Sequence, residues 1–442
     1  MTNFTDFIDA SPSPYHVTRA LRLRLEAAGY RYLAEGADWS LEPLKGYYTQ
    51  RGGKTLVAWK CGSLPAAERG LRILAAHTDS PCLKIKANPL IVAAKSRLLS
   101  VDIYGSPLLY TWLDRDLKLS GIVYSTADDP YTVKPHLVDL AETPLRAPSL
   151  AIHLNRDIKE KGLTINPQTQ LNLLFAGTHA DEAIDLAGLL ARKLAVKPEH
   201  IAGYDLRAAD MQPSGTLGVN AEFISGPRLD NLFSCFCIQE ALLARTSEAS
   251  EHTLMAAWFD AEEIGSQTVG GARSNFLDTV LLRIVLAEKG TGFEDFHRAK
   301  ARSVMLSADM AHAEHPAFKD KTDENHVPML NGGLALKSSA GANYGNSSEL
   351  AAWLTSACRS HAIPLQYFTY RCDHGSGSSV GPMVSSLTGI RTIDVGAPML
   401  SMHSIRELAG HDDLALSQRA FEVFYREPIG FQEEPDAIDR LL

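Results

Sequence analysis

Paired cysteines, long apolar runs and an excess of positive charge are all missing from this chain of 442 residues. Its six cysteines are scattered, without zinc-finger or disulfide-framework spacing, so we expect a reducing compartment and a cytoplasmic protein. No apolar run is long enough to span a bilayer, and the N-terminal segment lacks a basic region followed by an apolar core. We therefore expect no membrane partner and no signal peptide. A formal net charge of −9 argues against a nucleic-acid partner.

With 45% hydrophobic and 21% charged residues, the composition is ordinary for a globular protein and argues against disorder. Apolar runs at residues 55–60 and 71–76 predict buried strands. After Asp230, helical and strand patterns alternate along the chain. Such alternation is typical of an α/β sheet that is covered by helices on both faces.

The middle of the chain has a different texture. From residue 88 to residue 225, short apolar stretches alternate with Pro, Gly and Asp turns, which predicts a β-rich region with one helix near residues 183–194. We therefore predict an α/β fold in which one mixed-sheet domain, residues 1–87 and 226–442, is interrupted by an inserted β-rich domain, residues 88–225.

Two adjacent carboxylates, Glu262 and Glu263, follow an apolar run and precede a glycine-rich turn. Neighbouring acids repel each other unless a cation lies beside them. On a turn their side chains can diverge, so that one binds a metal and the other faces the water that the metal activates. Metal-assisted hydrolysis needs this division between a ligand and a general base. Two solvated surface glutamates are the alternative interpretation of this segment alone.

Other ligand-type residues also follow apparent strands. His77 ends an apolar run, with Asp79 two positions on, and Asp309 ends another. Asp230 lies at a turn that opens a helix, and His403 lies in a late loop. Strand ends of an open α/β sheet converge on one crevice, so these side chains are expected to meet there.

Seven motifs resemble the aspartyl aminopeptidases, a family of metallopeptidases with two co-catalytic zinc ions. They extend from the first helix to the last loops and occur in the family's order: residues 10–14 (ASPSP), 77–81 (HTDSP), 150–156 (LAIHLNR), 228–231 (RLDN), 260–266 (DAEEIGS), 307–312 (SADMAH) and 377–382 (GSSVGP).

The resemblance implies a role for each matching position. His77, Asp309 and a bridging Asp230 would hold one metal ion, while His403, Glu263 and the same Asp230 would hold the other. Glu262 would be the general base. Asp79 would be the partner that orients the His77 ring. The residues that would touch the substrate are His153, His312, Lys337 and Tyr344.

The implied cofactor is Zn²⁺, two ions per subunit. Three carboxylates and two imidazoles without a thiolate suit Zn²⁺ and would also admit Co²⁺ or Mn²⁺. His153 belongs to an alternating segment, residues 151–154, that predicts a strand. Direct metal binding by His153 is an alternative, but each ion already has three protein ligands, which favours a substrate role.

The predicted function is removal of an N-terminal Asp or Glu from peptides by a water activated between two metal ions. The ammonium of Lys337 would pair with the acidic substrate side chain. The resemblance further implies that the inserted domain mediates dimerisation, that its histidine reaches a neighbouring active site, and that dimers assemble into a tetrahedral dodecamer. Two alternatives remain: a broader aminopeptidase or N-acyl amino acid amidohydrolase, and a non-catalytic shell-forming protein.

Overall fold

The computed structural model describes residues 3–126, 129–177, 185–288 and 292–431. Its strands are β1 (Arg31–Tyr32), β2 (Gly46–Arg51), β3 (Thr55–Lys60), β4 (Leu71–His77), β5 (Cys82–Ala93), β6 (Ser96–Tyr104), β7 (Leu117–Thr126), β8 (Val133–Asp139), β9 (Leu173–Ala176), β10 (Ile201–Asp210), β11 (Gly215–Leu217), β12 (Phe223–Gly226), β13 (Thr253–Phe259), β14 (Val304–Ala308), β15 (Ala311–His312), β16 (Leu334–Lys337), β17 (Leu365–Phe368), β18 (Arg391–Gly396), β19 (Pro398–Leu400) and β20 (Glu407–Gly410).

The α-helices of the described residues are α1 (Phe4–Asp9), α2 (Pro14–Ala27), α3 (Ala66–Arg69), α4 (Ile158–Lys161), α5 (Pro167–Gln170), α6 (Leu186–Leu194), α7 (Leu229–Ala244), α8 (Phe276–Ala287), α9 (Phe293–Arg302), α10 (Ser348–Ser360), α11 (Val380–Thr388) and α12 (Asp412–Arg426). Within these ranges, no helix is long and apolar enough to cross a membrane. The predicted helix near residues 183–194 corresponds to α6, and its first two residues lie outside the described residues.

Within the described residues, the largest sheet has the strand order β1-β2-β3-β13-β4-β14-β18-β16-β17. Its four central strands, β13, β4, β14 and β18, are mutually parallel, while β3 and β16 pair antiparallel with them. All residues of β4 and β13 are buried. Strands that are buried on both faces read as continuous apolar runs, which explains why both were predictable.

Alternate residues of the central strands face two separate hydrophobic layers. Leu74 and Ala76 pack in a layer with the apolar residues of α2, α7 and α12. Ile73 and Ala75 face the opposite layer, which contains the buried residues of α8 and α9. This two-residue alternation follows from the strand geometry, and it yields a three-layer α/β arrangement.

A six-stranded antiparallel sheet, in the order β8-β7-β10-β5-β6-β9, has its own apolar cluster, which includes Leu186 and Leu190 of α6. A third sheet has the order β11-β12-β20-β19-β15 and joins segments before and after α7. The described residues thus confirm a mixed-sheet α/β fold. Strand β5 begins before residue 88, and the domain limits at residues 87/88 and 225/226 stay predictions.

Candidate metal centre

Most of the predicted metal-site residues lie at the ends of three adjacent parallel strands, at one edge of the large sheet. His77 is the last residue of β4, Asp309 directly follows β14, and Glu262 with Glu263 forms a 3₁₀ turn just after β13. Because β13, β4 and β14 are parallel neighbours, their carboxyl ends share that edge. The convergence therefore follows from the topology.

Two further side chains approach from outside the parallel strands. Asp230 is buried at the start of α7, where its own backbone dihedrals are not helical, so the turn directs its carboxylate into the crevice. His403 lies beyond β19 with a φ of 66°, a left-handed conformation that is uncommon for a residue other than glycine.

The predicted ligands form two groups that share Asp230. His77 Nε2 lies 3.3 Å from Asp230 Oδ1 and 3.4 Å from Asp309 Oδ1. His403 Nε2 lies 3.5 Å from Asp230 Oδ2 and 3.3 Å from Glu263 Oε2. In each group, the candidate ligand atoms all lie within 4.8 Å of one another. The two oxygens of one carboxylate thus face two different imidazoles.

The second nitrogen of each imidazole is held by a backbone carbonyl. His77 Nδ1 lies 3.0 Å from the carbonyl oxygen of Asp79, and His403 Nδ1 lies 3.1 Å from that of Ser106. A carbonyl oxygen only accepts hydrogen bonds, so both rings carry their proton on Nδ1. Nε2 of both rings is then the nitrogen that is available to a cation.

The donor set fits divalent metal ions. Asp230 Oδ1 and Glu263 Oε1 are buried, and neither has a hydrogen-bond partner within the part of the chain that the structure describes. Buried carboxylate oxygens are costly unless a donor or a cation compensates them. His77, Glu262 and Glu263 form a third group with metal-ligand spacing, so geometry alone also admits Glu262 as a ligand.

Both histidines respond to the surrounding negative charge. Burial alone would lower the pKa of His77, but Asp230, Asp309 and Asp79 raise that pKa well above its usual range. Burial would also lower the pKa of His403, but Asp230 and Glu263 outweigh that effect and raise the pKa to about 12. The buried carboxylates therefore favour positive charge beside both imidazoles.

The paired glutamates have raised pKa values for the complementary reason. Burial, with the neighbouring charges of Asp309 and Glu263, raises the pKa of Glu262 well above its usual range. Burial also raises the pKa of Glu263, to about 7. Bound cations act in the opposite direction, because they favour the ionised carboxylates.

Asp79 fixes the paired glutamates as well as His77. Its Oδ1 accepts the backbone N–H of Glu262 at 3.1 Å, and its Oδ2 accepts that of Glu263 at 3.2 Å. The Tyr104 hydroxyl donates to the same Oδ2 at 2.8 Å. The carboxylate lies 3.5 Å from His77 Nδ1, farther than the carbonyl of the same residue. The predicted contact with His77 is thus made mainly through the backbone.

The predicted substrate residues Lys337, Tyr344 and His312 line a cavity of about 370 Å³, and the candidate ligands Asp230, Glu263, Asp309 and His403 line the same cavity. Lys337 is only 3% exposed, and its Nζ donates to Asp309 Oδ2 at 3.2 Å. The same ammonium lies 5.1 Å from the centre of the Tyr344 ring. Burial, followed by the charge of Lys337, lowers the pKa of His312 to about 4, so its imidazole is neutral at neutral pH.

The predicted strand around His153 is wrong. Residues Ile152–Leu154 form an exposed 3₁₀ turn, and His153 does not line the cavity that holds the ligand groups. The apolar alternation of residues 151–154 therefore does not reflect a sheet face. The structure brings the other predicted site residues of this chain together, and their individual roles stay predictions.

Two residues that contact the site were absent from the sequence prediction. Tyr104 ends β6 and binds Asp79, and Glu407 begins β20 and accepts backbone N–H groups of Asp230 and His403. Glu407 follows His403 by four positions, but this spacing has no meaning outside a helix. Their contacts depend on tertiary pairing, which no local pattern reveals.

Carboxylates and imidazoles gathered at the strand ends of an α/β sheet are typical of a metal-dependent hydrolase. The family of aminopeptidase I zinc metalloproteases (M18) matches residues 7–425, and the chain belongs to this family. It is accordingly a metallo-aminopeptidase that acts on peptides. The predicted resemblance is confirmed at the level of the family.

Individual relatives cover nearly the whole chain. A probable M18 family aminopeptidase 2 of Ectopseudomonas mendocina is 40% identical over 427 residues, which are 96% of this chain and 97% of the relative. A solved structure of Ape4 with Nbr1 has a TM-score of 0.91 and 33% identity, covering 96% of this chain and 84% of that one. The mApe1 dodecamer of S. cerevisiae has a TM-score of 0.82 and 28% identity, with coverage of 96% and 95%.

Proposed function

We propose that this aminopeptidase binds two zinc ions per subunit and removes N-terminal Asp or Glu from peptides. His77, Asp309 and Asp230 would hold one ion, and His403, Glu263 and Asp230 the other. The observation that carries this proposal is the pair of ligand groups that share one buried carboxylate. The same nitrogen and oxygen donors would accept Co²⁺ or Mn²⁺.

Bound zinc would supply a water with lowered pKa and a polarised scissile carbonyl. Glu262 would take the proton of that water and pass it to the leaving amine. Its Oε2 lies 4.0 Å from His77 Nε2, so the carboxylate is next to the candidate ligands. The N–H···O bond from its backbone to Asp79 holds this residue in place.

Selectivity for acidic residues would come from Lys337. The chain as a whole is acidic, with a net charge of −9, so attraction of an acidic substrate needs a local positive group. The Lys337 ammonium is buried in the cavity wall, where its charge is screened less than at the surface. A substrate carboxylate beside it would pair with an ammonium that already contacts Asp309.

The preference for acidic N-terminal residues can be tested with a panel of aspartyl, glutamyl, alanyl and leucyl substrates, each free and N-acetylated. Wild type should favour the acidic pair and reject the acetylated forms. Lys337→Met should lower kcat/KM for acidic substrates by about 30-fold to several thousand-fold, because an unpaired buried charge costs roughly 2–5 kcal/mol.

Neutral substrates are the internal control for Lys337→Met, since loss of the contact between Lys337 and Asp309 affects every substrate equally. An unchanged ratio of acidic to neutral kcat/KM would remove Lys337 from the specificity pocket. A wild type that cleaves all four free substrates equally would favour the broader aminopeptidase. Family membership leaves no support for the amidohydrolase or the non-catalytic shell protein.

We further propose that residues 88–225 form a dimerisation domain of a homo-oligomer, a dodecamer in the cytoplasm, in which His153 reaches the neighbouring active site. Leu150, Ile152 and Leu154 beside it are 59%, 47% and 75% exposed. Apolar side chains clustered at a surface favour contact with another protein copy. The similarity to the mApe1 dodecamer supports the same assembly.

A further inference from the structure

Glu407 is a buried acid that contacts two segments of the candidate metal centre that lie far apart in the chain. It is 2% exposed at the start of β20, opposite Gly226 of β12. Its Oε2 accepts the backbone N–H of Asp230 at 3.0 Å, and its Oε1 accepts that of His403 at 2.7 Å. Each carboxylate oxygen is therefore assigned to a different predicted ligand of the same zinc ion.

The two backbone positions that Glu407 holds are both irregular. Asp230 belongs to a non-helical turn at the start of α7, and His403 has a φ of 66°. Neither N–H points into a helix or a strand ladder of its own. An unsatisfied buried amide is costly, so the carboxylate stabilises the conformations that direct both side chains into the site.

Asp79 and Glu407 make matching contacts with the backbone of the candidate metal centre. Asp79 accepts the N–H groups of Glu262 and Glu263, just as Glu407 accepts those of Asp230 and His403. Each buried carboxylate thus spans two backbone amides of metal-site residues. Hydrogen-bonding groups behind the ligands of a metal set their orientation and affect affinity.

We propose that Glu407 is a positioning residue that fixes Asp230 relative to His403 and thereby sets the affinity for the zinc ion of His403, Glu263 and Asp230. This inference rests on the two-zinc function proposed above. The other ion depends less on Glu407, because it shares only Asp230 with this arrangement, while His77 and Asp309 are positioned by β4 and β14.

Glu407→Gln is the informative change, because it preserves size but leaves one oxygen and one NH₂ group. The oxygen can accept from one backbone amide, while the NH₂ group faces the other donor. Asp413→Asn is the matched control, since Asp413 is also buried and accepts the N–H groups of Asn331 and Gly333, both at 2.8 Å. Asp413 does not line the catalytic cavity.

The full-length variants are stripped of metal and titrated with Zn²⁺ against a chromogenic chelator, and bound zinc is counted by elemental analysis. We expect Glu407→Gln to bind one ion like wild type and the other about 10- to 100-fold more weakly. His403→Ala should give the same one-site pattern in stronger form. Turnover of Glu407→Gln should rise towards the wild-type value as free Zn²⁺ is increased, whereas Asp413→Asn should need no added zinc.

Wild-type affinity for both ions in Glu407→Gln would overturn the assignment, as would an equal loss at both sites or turnover that added zinc does not restore. If Glu407→Gln does not fold, Glu407→Asp is titrated instead, since it keeps both oxygens one methylene farther away. A folding failure of both variants would assign Glu407 to fold stability and overturn the inference. A wild type that binds fewer than two ions would instead refute the two-zinc function itself.

Discussion

Replacement of Glu262 by glutamine separates its two candidate roles, general base and metal ligand. The substitution keeps the length of the side chain and the backbone N–H that Asp79 accepts at 3.1 Å. It removes only the negative charge and the ability to take a proton. Because Glu262 lies outside the two groups that share Asp230, we expect both zinc ions to remain bound.

The expected loss of activity follows from proton transfer. A positioned general base contributes roughly 10²–10⁴-fold to the rate, or about 3–5 kcal/mol of transition-state stabilisation. The proton moves only in the reaction, so kcat and kcat/KM should fall together while KM changes little. Folding should not suffer, because Asp309 and Glu263 already oppose ionisation of Glu262 in the buried site.

The assay measures turnover of an aspartyl anilide, zinc content and thermal unfolding on the same protein sample. Glu288→Gln is the matched control for turnover and zinc content: Glu288 is another glutamate with a raised pKa, and it lies outside the cavity lining. Near-normal turnover of Glu262→Gln at full zinc content would falsify the base assignment. Loss of one zinc ion would instead identify Glu262 as a ligand.

Two other predictions concern parts of the protein away from the ligand groups. Mixing inactive Glu262→Gln subunits with inactive His153→Ala subunits should restore part of the activity after subunit exchange; confirmed mixed oligomers without recovery would exclude a role of His153 across the boundary. Burial raises the pKa of Glu288 from 4.5 to about 7, so the folded state binds its proton more tightly than the unfolded state. Its contribution to stability is therefore present below pH 4.5 and is lost as the pH rises to about 7, and Glu288→Gln should stabilise the protein above that pH by on the order of 3 kcal/mol. Denaturation curves of wild type and Glu288→Gln, measured at pH 5 and at pH 8, give the difference in their free energies of unfolding. The same difference at both pH values would contradict this prediction.

The convergence of the candidate metal ligands was predictable because most of them lie at the ends of buried parallel strands. The runs before His77, Asp309 and Glu262 are buried throughout and mostly apolar, since both faces of β4, β14 and β13 are covered. A polar residue at the end of such a run marks the sheet edge. The parallel order of those strands then brings the marked positions together.

The supporting contacts could not be predicted in the same way. Glu407 contacts Asp230 only because β20 pairs with β12, and these strands lie far apart in the chain. Helices α9 and α11 were also missed. The short helix α11 contains Gly381 and Pro382, residues that disfavour helices in isolation. Its buried Val380, Met383 and Val384 pack in the layer beneath the sheet, so tertiary contacts outweigh local propensity.

The exposed apolar residues around His153, which the sequence pattern wrongly assigned to a strand, bear on how subunits assemble. Alternating apolar residues predict a strand because one face of a sheet usually packs against the core of the same chain. Here the apolar residues around His153 are exposed at and beside a 3₁₀ turn, so no core within the described part of the chain accounts for the pattern. Clustered apolar side chains that do not pack against the core of their own chain favour contact with another molecule. The histidine among these residues would then lie at a boundary between subunits, which is where the proposed contribution to a neighbouring active site requires it.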